Sequence, residues 1–244
     1  MQIDPYVRAE EARERLEKWR AILSGASTGR DKYTDEMLAE LLGSSSVATM
    51  AELESFMRDL VDSISSAIND AQYPVTSLCS ELHILHAHSK FTSIQDLRIH
   101  SRKYWSSRLE VAQLHTSNEI ASLPGAADES PQPPLRGSTI DIRSISEVAE
   151  VFCFPHKKSL ISGSQQGSLH KLHGYRNGFA HAIVPPLTLF PDPHKEIMDT
   201  LNDINNILDV LYVLAKEWDS VITQKLFLKS SHRQILINSD DSNT

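Results

Sequence analysis

Ile197, Leu201, Ile204, Leu208, Leu211, Leu214, Trp218 and Ile222 recur at steps of three and four without a miss. Only a helix of about 3.6 residues per turn puts all of them on one face, and a stripe of that length needs other helices to cover it. No stretch alternates apolar and polar residues at the period of a strand, and there is no internal repeat. The last helix, beginning near Asp192, therefore predicts an all-α fold: an antiparallel helical bundle with an additional N-terminal helical segment.

The rest of the chain reads into the same class. Residues 5–23 form a helix, with Pro5 suited to its first turn and Ala12, Leu16, Trp19 and Leu23 on one narrow stripe. A stripe that narrow describes a helix lying against something, either as a partner-binding arm or as a peripheral helix of the same domain. Residues 24–29, with two glycines, read as a flexible break, and 34–42 as a short helix. Thr49-x-x-Glu52 fits a capping box opening a helix to about Gln72, along which Met50, Leu53, Met57, Leu60 and Ile64 share a face. Pro74 is placed to open a third helix running to Ser89, and Ser93-x-x-Asp96 stands near the start of a fourth over 93–120. Four prolines and two glycines within 123–138 forbid regular structure, so 123–143 reads as a loop insertion within the bundle. A short helix over 144–154 ends at Pro155. The expected organisation is an N-terminal arm (1–45), a bundle (46–229) and a flexible tail (230–244).

Composition limits the function classes. With 40% hydrophobic and 23% charged residues the 244-residue chain is an ordinary globular one, and no apolar run approaches the ~20 residues a bilayer requires. The charged N-terminal stretch is no secretory signal, and Cys79 and Cys153 form neither a disulfide framework nor a zinc-ligand spacing. Both are expected as buried thiols in a reducing cytoplasm. A net charge of −8 disfavours indiscriminate nucleic-acid binding, DNA included, but leaves room for an enzyme that meets RNA through one local basic patch.

Two stretches could carry chemistry, and a third looks as if it could. Arg176, Asn177 and His181 fall within six residues. A guanidinium stays charged near neutrality and can hold a phosphate, whereas an imidazole titrates there and can move a proton. Together they are the minimum kit for metal-free RNA cleavage: a base for the ribose 2′-hydroxyl and a cation for the pentacoordinate phosphorus. Spacing alone is weak, since about two Arg–His pairs with four to six intervening residues arise by chance in such a chain. The second match, Arg108–His115, reads as accidental. The second stretch is the most basic in the chain: Arg98, His100, Arg102, Lys103 and Arg108 interleaved with Tyr104 and Trp105. It is either an RNA platform, with cations on phosphates and rings on unpaired bases, or a solvated helix face with Tyr104 and Trp105 in the core. The third is His83, His86 and His88, which lack a carboxylate at matching spacing and read as structural histidines, so no metal site is expected.

The setting of the first motif adds what its spacing lacks. Asn177 follows the Arg directly, Phe179-Ala180 precedes the His, Pro185-Pro186 stops the segment and the long amphipathic helix follows. RN-x-x-AH in this setting resembles the HEPN family of small helical domains with an R-x(4–6)-H motif, over roughly 47–226. The resemblance implies a metal-independent endoribonuclease of a bacterial toxin–antitoxin or antiviral defence system, without a cofactor. In it His181 would serve as base or acid, Arg176 would hold the scissile phosphate, Asn177 would orient one of them, and the products would be a 2′,3′-cyclic phosphate and a 5′-hydroxyl. The implied partners are RNA, a second copy of the chain and an antitoxin or defence-partner protein. Members of the family can also be non-catalytic, which leaves a helical interaction module as the alternative. Glu52-Leu53-Glu54-x-Phe56 is similar to the early helix of some subfamilies, with no role assigned to Glu54. Ile183 stands where toxins controlled by nucleotide attachment usually have Tyr, which argues against that control. In a straight helix, residues five apart sit about 140° around the axis. Arg176 and His181 are therefore expected to meet only where Gly178 and the nearby proline pair let the backbone leave helical geometry, or across a twofold axis between two chains.

Overall fold

The computed structural model describes residues 3–29, 32–96, 102–124, 134–135, 140–181 and 184–234. Its elements are α1 (Pro5–Thr28), α2 (Asp35–Ala71), α3 (Ser80–His86), α4 (His88–Asp96), α5 (Arg102–Ala112), α6 (Ile142–Val151), α7 (Gly163–Ala180), α8 (Pro186–Leu189) and α9 (Pro193–Thr223). No strand forms among the described residues; two isolated bridges, Pro74 with Ile120 and Leu78 with Leu228, are the whole of the β structure there. The fold is an all-α helical bundle.

Four long helices make the centre, and side-chain pairs give their directions. Arg8 meets Asp59 while Arg15 meets Glu52, so α1 and α2 run antiparallel. Ser168 meets Asp203 while Tyr175 meets Glu196, so α7 runs against α9. His194 lies near Asp35 and Trp218 meets the Phe56 ring edge-on, so α2 and α9 run parallel. Their apolar faces form one cluster in which Leu16, Leu23, Leu42, Leu53, Phe56, Leu208, Leu211 and Trp218 are buried. Of the short helices, α3 packs against both α4 and α6, α6 against α7, and Leu82, Leu85, Ile145 and Val148 of α3 and α6 join the same cluster.

Several local expectations are corrected. Helix α1 does not stop at Leu23 but runs through 24–28, because Ala26 is fully buried and the Thr28 hydroxyl donates to the Gly25 carbonyl at 3.0 Å. The Thr49 capping box is absent. Thr49 is buried inside α2 and donates to the Ser45 carbonyl (2.7 Å), while Ser45 and Ser46 donate to Leu42. Those back-bonds satisfy hydroxyls that burial would otherwise leave unpaired, and the cap is Thr34, whose oxygen accepts from Met37 N–H. The 45/46 boundary thus falls inside one continuous helix, and the segment read as an arm supplies Ala9, Ala12, Leu16 and Leu23 to the shared core. Pro74, paired with Ile120, opens only a three-residue 3-10 turn, Val75–Ser77, and the α-helix α3 starts at Ser80. Ser93 lies within α4 and donates back to Ser89, so it caps nothing. Of the loop insertion, 125–133 and 136–139 lie outside the described residues, but its flanks Leu123, Leu135 and Ile140 are buried. Of the tail, 230–234 is helical and 235–244 lies outside the described residues.

Candidate functional site

Helix α7 is opened by a full capping box. The Ser162 hydroxyl accepts from Gln165 N–H and the Gln165 side chain accepts from Ser162 N–H. One side of α7 is bound to α9 by a buried polar cluster: Ser168 donates to Asp203 (2.6 Å), Asn206 donates to Ser168, and Lys171 lies 3.2 Å from Asp203. Burial alone would lower the Lys171 pKa, but the Asp203 and Glu196 carboxylates outweigh it and hold the ammonium above its ordinary value. Tyr175, tilted against Phe190 at 4.5 Å, donates to Glu196 one turn further on.

Two glycines bring the motif end of α7 close to its neighbours. A Cβ on Gly43 of α2 would stand 2.2 Å from the Phe179 ring, so α7 lies against a notch in α2 that any side chain would fill. A Cβ on Gly178 would come within 2.9 Å of Leu189, which lets α8 close over the helix end. Gly178 does not distort the helix, which continues through it with no positive φ. The helix ends at His181, the C-cap residue, with φ −96° and ψ 4°.

That ending decides the geometry. Arg176 Nη1 lies 3.5 Å from His181 Nε2 and donates to Asn177 Oδ1 at 3.3 Å, all on one chain. The contact follows the first of the two expected routes, the backbone leaving helical geometry, but it does so at His181 and not at Gly178, and the arginine stem is long enough to fold along the last turn. A guanidinium only donates, so in this contact His181 Nε2 presents its lone pair and the ring proton sits on Nδ1. No family model, curated protein or solved structure matches this chain.

The structure adds one residue to the site. Glu54 of α2, without an assigned role in the motif, places Oε1 3.7 Å from Arg176 Nη2 with 16% of its side chain exposed. That oxygen is buried without a hydrogen-bond partner. Arg176 therefore lies between a carboxylate behind it and an imidazole before it, while His181 is exposed and Arg176 and Asn177 are half-buried. The signal that could have pointed to Glu54 is its place on the helix that carries Gly43, but nothing in the sequence pairs residue 54 with residue 176.

The other expected site residues divide. Arg98, His100 and the Arg102 side chain lie outside the described residues. Lys103 is exposed on α5. Arg108 lies over the rings of Tyr104 (5.1 Å) and Trp105 (5.4 Å), which themselves meet edge-on. The reading that places both aromatics in the core is corrected: Tyr104 is half-buried outside the core cluster and Trp105 is 59% exposed, because α5 packs on α4 and the following turn rather than on the bundle centre. His83 and His86 do not converge on a common point. His83 Nε2 meets the Val75 carbonyl and burial lowers its pKa; His86 takes Ser122 N–H on Nδ1 and meets Glu119 through Nε2, a bond that lowers the Glu119 pKa.

Proposed function

We propose that this chain is a metal-independent endoribonuclease of the HEPN type, acting as a homodimer in the cytoplasm within a toxin–antitoxin or antiviral defence system. The observation that carries the reading is the Arg176–His181 contact at an exposed helix end. A phosphodiester entering beside Nη1 and Nε2 would meet a fixed cation and a proton acceptor together. His181 Nε2 takes the proton of the ribose 2′-hydroxyl, and the oxygen attacks phosphorus. Arg176 stabilises the charge that builds on the non-bridging oxygens. The 5′-oxygen departs and takes up a proton from water, leaving a 2′,3′-cyclic phosphate and a 5′-hydroxyl, and the imidazolium returns its proton to solvent. Asn177, accepting from Arg176, orients the guanidinium. Lys103, Tyr104 and Arg108, with Arg98 and Arg102, are the proposed platform for flanking RNA.

A second reading draws on Glu54. An arginine already paired to a half-buried carboxylate can serve the α2–α7 contact, in a helical module that binds a partner protein and cleaves nothing. Incubating the purified chain with tRNA and structured RNA in EDTA, with end-group analysis, separates the two. Cleavage in EDTA that leaves cyclic phosphate supports the ribonuclease. Intact RNA from a protein that melts cooperatively supports the module.

A further inference from the structure

Among the described residues, one group of metal-ligating side chains converges outside the motif. Cys79 Sγ, Cys153 Sγ and a Glu81 carboxylate oxygen lie within 4.8 Å of one another, all half-buried. The two cysteines stand 74 positions apart, so no ligand spacing is visible in the sequence. We propose that these three side chains bind a zinc-class divalent cation, with water in the fourth position, linking the start of α3 to the end of α6.

Three features support a built site. Each thiol sits on backbone tied down independently of the other. Cys79 N–H donates to the Phe227 carbonyl (2.9 Å), holding it to the turn that follows α9, while its thiol proton, now on the Leu226 carbonyl (3.3 Å), is released when the sulfur binds metal. Cys153 is the residue after the C-cap of α6 in a Schellman turn, where Phe154 N–H bonds Ala149 and Cys153 N–H bonds Glu150. Just beyond, Glu217, itself buried, accepts from both the backbone and the ring of His156.

The second feature is the conformation of Cys153, whose φ is +59°. That turn position favours glycine, and a side chain there is carried at a cost. A cysteine at that position aims a thiol at Cys79 that glycine would lack. The third is the donor set. Tetrahedral zinc–thiolate bonds set two sulfurs roughly 3.8 Å apart, so separations below 4.8 Å require only a small closure. Two thiolates and a carboxylate would leave a divalent ion with one net negative charge. Lys229 and Arg233 act on Cys79 as neighbouring positive charges that offset it.

The site lies on elements other than those of the Arg176 motif, and the proposal does not depend on the ribonuclease reading. Its test is Co²⁺ titration of the reduced, full-length protein, followed by melting with and without stoichiometric Zn²⁺. The expected result is one equivalent of Co²⁺ bound with a thiolate charge-transfer band, and a higher melting temperature with Zn²⁺. Cys79→Ser and Cys153→Ser should lose the band, and Glu81→Gln should weaken binding about tenfold or more. Cys153→Gly guards against a merely structural effect, since it should melt higher than wild type without metal and gain nothing from Zn²⁺. No band in the reduced wild type overturns the proposal, as does a band that survives Cys153→Gly. So does a reduced protein that ignores metal but closes a Cys79–Cys153 disulfide under mild oxidation, which would make the pair a redox couple.

Discussion

At the scale of single residues, the proposed chemistry rests on side chains whose loss should be separable from folding. His181 is exposed at a helix end, so His181→Ala should leave the melting temperature unchanged while cleavage falls by ~10²–10⁴-fold, the usual contribution of a general acid–base group. Arg176→Lys should be nearly as damaging, because a single ammonium nitrogen lacks the planar fork that can grip a phosphate while Nη1 stays on Asn177 and His181. Unchanged turnover in the histidine variant would take His181 out of the mechanism. Glu54 makes a prediction of opposite signs. Its carboxylate competes with the substrate phosphate for Arg176 and also holds the guanidinium in place. Glu54→Gln should therefore lower KM, by removing a repulsive charge, and lower kcat, by loosening Arg176. Steady-state cleavage of a fluorogenic RNA reads both, and a rise in KM would show that Glu54 acts only through folding.

Elements are positioned by close approaches and by a few titratable contacts. Gly43→Ala should destabilise the protein by about 1–3 kcal/mol, the usual range for overpacking, because the new Cβ meets the Phe179 ring two residues before His181. Cleavage should fall with it. Combining it with Phe179→Ala should cost less than the sum of the single changes, since removing the ring empties the space the methyl needs; denaturant melts of the four proteins measure that coupling. The contact of His83 with the turn entering α3 should make stability depend on pH. Burial depresses the folded pKa of His83 below its ordinary 6.5, so protonation favours the unfolded chain. Its contribution is complete above 6.5 and is lost as pH falls from there through the depressed folded value. Urea midpoints taken from about pH 8 to about pH 5 should fall, and His83→Gln should flatten that slope. An identical slope in the variant would assign the acid sensitivity to other groups.

For the whole molecule, a single chain brings Arg176 and His181 together, so each subunit of the proposed dimer carries its own pair. A tagged, isolated heterodimer of Arg176→Ala and His181→Ala chains should stay inactive; recovered cleavage would instead assign the centre to two chains. Much of the architecture was legible in order along the chain. The 3.6 period of α9, the stripe of α1, the proline-rich insertion and the absence of strand alternation settle an all-α bundle, because helical periodicity is a local property that burial only has to accept. Element ends were less legible. Thr49 reads as a cap in sequence but lies in mid-helix, because an i−4 carbonyl satisfies its hydroxyl once the surroundings are buried. The motif residues could be named from sequence, but their contact could not. Whether Arg176 reaches His181 depends on where α7 ends, which the Gly43 notch, Leu189 over Gly178 and the C-cap geometry at His181 decide together. Glu54 beside Arg176 and Cys79 beside Cys153 are likewise meetings of residues far apart in the chain. Periodicity and spacing carry no information about such pairs; only the packing of one helix on another creates them.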